Sequence, residues 1–264
     1  APVKKTGEVD LVELKKIINK KTVLVSIVYA NNEIGTVQPV KKISRIIKSI
    51  NQNTIFHVDA CQAVNYLDVS VKKLQVDAMS LSSSKIYAPK GVGCLYVKQN
   101  LKIKPIIVGG DQENGRRAST ENVASILNFA SAFELASKIK DKETNRLKKL
   151  QKYFIEKLKK TITNIQINGT EVNRLPNNIN VSFAGAEGES LLLMLDEAGV
   201  CCSTGSACSA LDLNPSHVLL AIGTPLELAH CSLRFSLGRF TTKREVDYTL
   251  KQLQIIVKRV RGIS

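Results

Sequence analysis

Short apolar runs alternate with amphipathic helical stretches along the first part of the chain, and this order restricts the fold more than any other feature. The β-branched run from Thr22 to Tyr29 reads as a strand. Pro39 then opens a helix whose Val40, Ile43, Ile46, Ile47 and Ile50 recur at helical spacing. Further strands are expected at Ile55 to Asp59, Ala78 to Leu81 and Gly93 to Val97. Ahead of them, Asp10 is placed to cap a helix, with Glu13 as its box partner and Leu11, Leu14, Ile17 and Ile18 as the buried stripe. Strand–helix–strand order with near-continuous apolar strands predicts an α/β fold, a mostly parallel sheet covered on both faces. Ligands of such sheets collect at the C-terminal strand ends, where Asn31, Asn32, Asp59 and Lys85 fall.

The second half has a different character. A long helical stretch from about Glu121 to Ile162, broken near Asp141, is followed by a short strand ending at Asn168. A strand from Asn178 to Phe183, a helix from Glu187 to Ala198 and a terminal helix from Lys243 to about Arg259 come next. The pattern predicts a larger domain over 1–120, a connecting helix over 121–145 and a smaller α+β domain over 146–264. With 264 residues and 44% hydrophobic content, the chain can bury a sizeable core in one or two domains. No apolar run approaches the ~20 residues that span a bilayer, so no membrane partner is expected. The net charge of +15 would suit nucleic acid or an acidic partner. Its lysines, however, are scattered over helix faces without interleaved aromatics, as in Leu147-Lys148-Lys149-Leu150-Gln151-Lys152, and read as solvated surface. Six cysteines at irregular spacing fit a reducing compartment, the cytoplasm or an organelle matrix. The start at Ala1, with neither Met nor a signal-peptide pattern, reads as a processed, split or truncated chain.

Chemistry concentrates in Ser82-Ser83-Ser84-Lys85-Ile86-Tyr87-Ala88-Pro89-Lys90-Gly91-Val92-Gly93. A lysine after a run of hydroxyl residues, at the end of an apolar strand, is placed to form an imine with an aldehyde. Ser82 and Ser84 beside it are candidates for holding a phosphate. Upstream, His57-Val58-Asp59-Ala60-Cys61-Gln62 ends another strand with a carboxylate. Pyridoxal 5'-phosphate requires this set: an amine for its aldehyde, an acid for its ring nitrogen and hydroxyls for its phosphate. A solitary lysine is usually a solvated surface charge, and only its company sets Lys85 apart. The other loaded segment, Cys201-Cys202-Ser203-Thr204-Gly205-Ser206-Ala207-Cys208-Ser209-Ala210, is a loop of small residues. Its thiol at Cys208 suits a nucleophile that must travel. Cys201 and Cys202 follow the apolar Val200 and are expected to pack against the smaller domain. A zinc site with Cys208, His230 and Cys231 is the weaker reading, because no paired C-x-x-C spacing is present.

Seven stretches carry a resemblance in one consistent order. They are Asn31-Asn32-Glu33-Ile34-Gly35, His57 to Gln62, Lys85 to Gly91, Gly109-Gly110-Asp111-Gln112-Glu113, Arg117-Ala118-Ser119-Thr120-Glu121-Asn122, Ser203 to Cys208, and Arg234-Phe235-Ser236-Leu237-Gly238-Arg239-Phe240. Over essentially its whole length the chain resembles the pyridoxal-phosphate-dependent cysteine desulfurases of the NifS/IscS type, within the class V aminotransferase superfamily. The resemblance implies a fold type I enzyme that takes sulfur from L-cysteine and releases alanine. It also implies that the sulfur travels as a persulfide to an acceptor protein of iron–sulfur assembly or tRNA thiolation. By the same resemblance, Lys85 holds the cofactor and moves the substrate's Cα proton. Asp59 keeps the ring nitrogen protonated, Gln62 bonds the phenolate oxygen, and Asn32 contacts the ring and the substrate. Arg234 offers a planar fork for the substrate carboxylate, and Cys208 attacks its sulfur. Thr120 reaches the phosphate of a neighbouring subunit, which implies a homodimer.

The chain departs from the family pattern in two ways. Ser84 stands where the family usually has His. The family also carries a further N-terminal segment with a Gly/Thr phosphate turn, a ring-stacking His and the first strands. The larger domain is therefore expected to be incomplete, and the isolated chain to bind cofactor poorly. The enzymatic rivals are a selenocysteine lyase and a small-substrate aminotransferase, and the Cys208 loop argues against the second. The non-enzymatic rival is a truncated member acting as a binding scaffold for sulfur acceptors.

Overall fold

The computed structural model describes residues 1–205 and 215–263. In chain order its elements are α1 (Leu11–Ile17), β1 (Leu24–Val28), α2 (Val40–Ile50), β2 (Ile55–Asp59), α3 (Val71–Leu74), β3 (Ala78–Ser82), β4 (Gly93–Val97) and α4 (Gln112–Gly115). There follow α5 (Val123–Thr161), β5 (Ile165–Ile167), β6 (Asn178–Phe183), α6 (Gly188–Glu197), α7 (His217–Ala221), α8 (Leu226–His230), β7 (Ser232–Ser236) and α9 (Lys243–Ile263). A 3-10 turn over Ser83–Ile86 follows β3 directly. The chain forms two compact units: Ile18–Tyr29 with Val40–Lys140, and Ala1–Ile17 with Ala30–Pro39 and Asp141–Ser264.

In the unit formed by 18–29 and 40–140, β1, β2 and β3 run parallel and β4 joins β3 antiparallel, in the order β1-β2-β3-β4. Helix α2 buries Val40, Ile43 and Ile47, three of the five residues its spacing singles out, and leaves Ile46 and Ile50 half-buried. Strand β2 alternates, with Phe56 and Val58 fully buried and Ile55, His57 and Asp59 on a half-exposed face. Helical cover on both faces is thus not what the described residues show. On the Asp59 face, β1 leaves Leu24 55% and Val28 44% exposed. Polar groups there satisfy one another across the ladder: His57 Nδ1 lies 2.8 Å from Ser26 Oγ, and its Nε2 lies 2.8 Å from Ser80 Oγ. The opposite, N-terminal ends of the strands are tied by Asp77. Its carboxylate accepts from Lys48 at 2.6 Å, the Phe56 N–H at 3.0 Å and Lys98 at 3.3 Å. Burial pushes this carboxyl up, but Lys48, the Phe56 amide and Lys98 outweigh it and hold Asp77 below the usual carboxylate range.

The break expected near Asp141 is absent: α5 runs unbroken for 39 residues. No proline or glycine interrupts it, and its Lys, Leu, Glu and Ala residues all favour a helix. Its first part packs Phe129 and Ala136 with Val64 and Ile86, in the unit that holds the parallel sheet. In the other unit its Phe154 meets Phe235, ring centroids 5.3 Å apart.

That second unit is built on an antiparallel sheet, β5-β6-β7. All of β6 is buried, so its polar side chains need partners. Asn168 Nδ2 donates to Asn180 Oδ1 at 2.7 Å and to Ser182 Oγ at 2.8 Å. Glu187 caps α6 by accepting from the amides of Glu189 and Ser190. Asp10 caps α1 through the Val12 and Glu13 amides at 2.9 and 3.2 Å. The expected return bond of the capping box is replaced: the Asp10 N–H goes to Pro2 O at 2.9 Å, and Glu13 pairs with Lys16 at 2.6 Å. Leu14 and Ile18 take the buried positions, whereas Ile17, placed in the stripe by its spacing, is exposed. Among the described residues no helix is long and apolar enough to cross a membrane.

Candidate active site

Two parallel neighbours end side by side in the first unit, β2 on Asp59 and β3 on Ser82. From Ser82 the chain passes straight into the 3-10 turn that carries Lys85. The turn closes where Tyr87 takes a left-handed conformation, φ 67°, and gives its N–H to Ser83 O. Ser83 is fully buried and pins the following loop, its Oγ donating to Val92 O at 2.6 Å and lying against Pro89 O. Ile86 is also buried, in the cluster with Val64 and Phe129. With Ser83 and Ile86 sunk, Ser84 and Lys85 stand out from the surface. Asn65 Nδ2 fixes the Lys85 carbonyl at 2.8 Å.

Asp59 Oδ1 accepts the Cys61 N–H at 2.9 Å, which orients the carboxylate. The half-buried Cys61 thiol is pushed up to about 12, first by burial and then by the hydrogen bond and charge of Asp59. The Lys85 charge acts on the same thiol in the opposite sense. The carboxylate ends β2 and the amine stands on the turn that directly follows β3, the parallel neighbour of β2. The Ser82 and Ser84 hydroxyls lie 3.2 Å apart beside them. Gln62 follows in the half-buried turn after β2, and Thr120 is exposed on the segment before α5. An amine, an acid and paired hydroxyls at adjoining strand ends fit what pyridoxal phosphate needs.

The remaining candidates belong to the second unit. Arg234, on β7, donates from Nη1 to Asn32 O at 3.1 Å. Its backbone forms an antiparallel bridge with Ser203, the two N–H···O distances being 2.6 and 3.1 Å. Cys208, in segment 206–214, lies outside the described residues. Of the two cysteines expected to pack, Cys202 is half-buried, its thiol pushed up to about 12 by burial and then by Cys201 and Asp196. Cys201 is exposed instead, because only Val200 before it turns into the core. Cys61, Cys94, Cys201, Cys202 and Cys231 are free thiols. Among the described residues no three His, Cys, Asp or Glu side chains cluster as metal ligands do. Sequence reasoning missed Ser83, whose burial as the middle of three serines has no composition signal. It also missed Glu33, only 3% exposed, which accepts the Ser216 hydroxyl at 2.5 Å.

Strand-end amine and acid on a mostly parallel sheet define the class: the fold type I architecture of pyridoxal-phosphate transferases. The family described as Aminotransferase class-V matches residues 1–249, and the chain belongs to it. The curated cysteine desulfurase IscS of Dictyoglomus turgidum is 52% identical over 263 residues, covering 100% of this chain and 66% of its own length. The chain thus spans about two thirds of the curated relatives it matches. Among solved structures, a NifS-like protein superposes with a TM-score of 0.90 at 37% identity, over 98% of this chain and 67% of its own. SspA, solved in complex with cysteine, superposes with a TM-score of 0.74 at 31% identity, over 91% of this chain and 66% of its own.

Proposed function

We propose that this chain carries the lysine and cysteine machinery of a cysteine desulfurase. The observation that supports it most is the placement of Asp59 at the end of β2 and of Lys85 on the turn that directly follows β3, its parallel neighbour. The desulfurase relative and the cysteine-bound SspA point to L-cysteine as substrate. Lys85 would hold the aldehyde of pyridoxal phosphate, Asp59 its ring nitrogen and Gln62 its phenolate oxygen. Ser82, Ser84 and, from a second copy of the chain in a homodimer, Thr120 would hold its phosphate. When bound, that group supplies an electron sink conjugated to the substrate's α-carbon.

The chain's own residues do the rest. Lys85, exposed on its turn, takes and returns the substrate's Cα proton. Arg234 receives the substrate carboxylate, and Asn32 supports it through the carbonyl that takes the Arg234 Nη1 hydrogen bond. The Cys208 thiolate attacks the substrate sulfur. A sulfur–sulfur bond forms, the carbon–sulfur bond breaks, and its electron pair stays on the substrate's β-carbon, which takes a proton and leaves as alanine. The product on the chain is a persulfide, ready for an iron–sulfur scaffold or a tRNA-thiolation protein. A reducing compartment such as the cytoplasm suits the free thiols among the described residues. The test is incubation of the cofactor-loaded protein with L-cysteine in the absence of any added thiol. Equal amounts of alanine and of persulfide sulfur on Cys208 are expected in a single turnover, and alanine without sulfur on Cys208 would reject the reading.

A further inference from the structure

A groove of about 780 Å³ opens in the second unit, between the end of β7, the start of α9 and the turn after α6. Phe235 lines it, and successive strand side chains point to opposite faces, so Arg234 points the other way. The groove is therefore separate from the arginine assigned to the substrate carboxylate.

Its floor is the pair Phe154 and Phe235, ring centroids 5.3 Å apart, with Leu237 and Val246 beside them. One wall is Gly199 to Cys201, tied to α9 where the Tyr248 hydroxyl donates to Ala198 O at 2.9 Å. The rim carries Phe240, whose side chain is 79% exposed. The loop that presents it is fixed by Arg146 of α5, which donates to Thr241 O at 2.6 Å, Gly238 O at 2.8 Å and Arg239 O at 3.0 Å. The walls are thus held before anything enters, and the volume falls within the ~300–1,000 Å³ usual for small-molecule sites.

The charge at this rim is unbalanced. Lys243 pairs with Asp247 at 2.7 Å. The Glu245 carboxylate is turned back into the helix cap, accepting the Thr242 N–H at 2.7 Å and the Thr242 hydroxyl at 2.9 Å. Arg244 also lines the groove, and among the described residues no carboxylate pairs with it. An aromatic floor beside an unmatched guanidinium suits a ligand that is apolar at one end and anionic at the other.

We propose that this groove binds a small organic anion, its apolar body on Phe154, Phe235 and Phe240 and its charged group at Arg244. Such binding requires neither the cofactor nor the desulfurase reading.

The test uses the whole chain and two dyes: anilinonaphthalene sulfonate, an aromatic anion that fluoresces in apolar sites, and its uncharged counterpart N-phenylnaphthylamine. Cys201 in the groove wall and Cys94 on β4 are both exposed, so their alkylation can be followed by peptide mass spectrometry. Saturating sulfonate is expected to slow alkylation of Cys201 at least ~10-fold and leave Cys94 unchanged. Arg244→Ala should weaken the sulfonate about 5-fold while the uncharged dye keeps its affinity, and Arg244→Lys should recover most of the loss. Phe240→Ala should weaken both dyes. Arg244 and Phe240 are exposed, so these variants keep the fold. Failure of the sulfonate to bind, or equal slowing of Cys201 and Cys94, overturns the proposal. Sulfonate affinity unchanged in Arg244→Ala, or lost equally for both dyes, overturns it as well. Cys201 alkylation that slows with rising protein concentration and no dye present would give the groove to a second copy of the chain and likewise overturn it.

Discussion

The ends of β2 and β3 and the start of α7 are held in place by different means. Asp59 and Lys85 take their positions from the parallel ladder and from one buried hydroxyl, Ser83, a few residues away in the chain. Ser216 takes its place from Glu33, whose carboxylate accepts the Ser216 hydroxyl across 183 residues of sequence. A backbone ladder fixes where an atom lies and leaves little slack, as the proposed grip of Lys85 and Asp59 on one small ring would require. A side-chain hydrogen bond fixes one point of the chain, here the Ser216 that caps α7, and leaves its neighbours to their own contacts.

The comparison breaks first at Lys85. Lys85→Ala is expected to abolish cofactor absorbance and lower turnover by at least ~10⁴-fold. Because the side chain is exposed, stability should move by less than about 0.5 kcal/mol. Chemical denaturation beside a spectrum of the loaded protein checks both. Cys208→Ala should lower sulfide release by ~10³-fold or more with the absorbance intact, since the thiol acts after the cofactor is bound. Parallel loss of absorbance would mean that Cys208 belongs to the cofactor's own site.

The third test concerns the opposite end of the same strands, where structure and not chemistry is at stake. The folded Asp77 carboxyl lies below its unfolded value near ~3.9. The stability it lends is therefore full above that pH and is lost as pH falls through the depressed folded value. Asp77→Asn should cost about 1.5–3 kcal/mol at neutral pH, since it leaves Lys48 poorly paired. It should also flatten the acid limb of a melting-temperature profile below about pH 4. An unaltered acid limb would show that Asp77 is not the group responsible. The smallest effect is expected at Ser83→Ala, about 1–2 kcal/mol, with faster amide exchange confined to 84–92.

What the sequence made legible follows the same division. The strands Ile55–Asp59, Gly93–Val97 and Asn178–Phe183 are found where their apolar or β-branched runs place them. The placement of Asp59 at the end of β2 and of Lys85 on the turn after β3 was legible because each follows such a run, and ligands of parallel sheets collect at strand ends. Glu33 was not readable. A glutamate between Asn32 and Ile34 looks like turn surface, and only the fold brings Ser216 to it. The unbroken α5 was missed for a related reason: the change in packing partners at 140–141 belongs to the tertiary fold, and the local helix propensity continues through it. The polar face of β1, β2 and β3 also escaped, because Ser26, His57 and Ser80 satisfy one another only once the register is set.

The most direct test of the central claim is to trap the amine. The protein loaded with pyridoxal phosphate is reduced with borohydride, digested and mapped by mass spectrometry. Lys85 and Lys90 are both exposed and five residues apart in the same loop, so the label discriminates between a site built on the β2 and β3 ends and mere surface reactivity. The account predicts one pyridoxyl group, on Lys85. A label on Lys90, or one spread over several surface lysines, would contradict it.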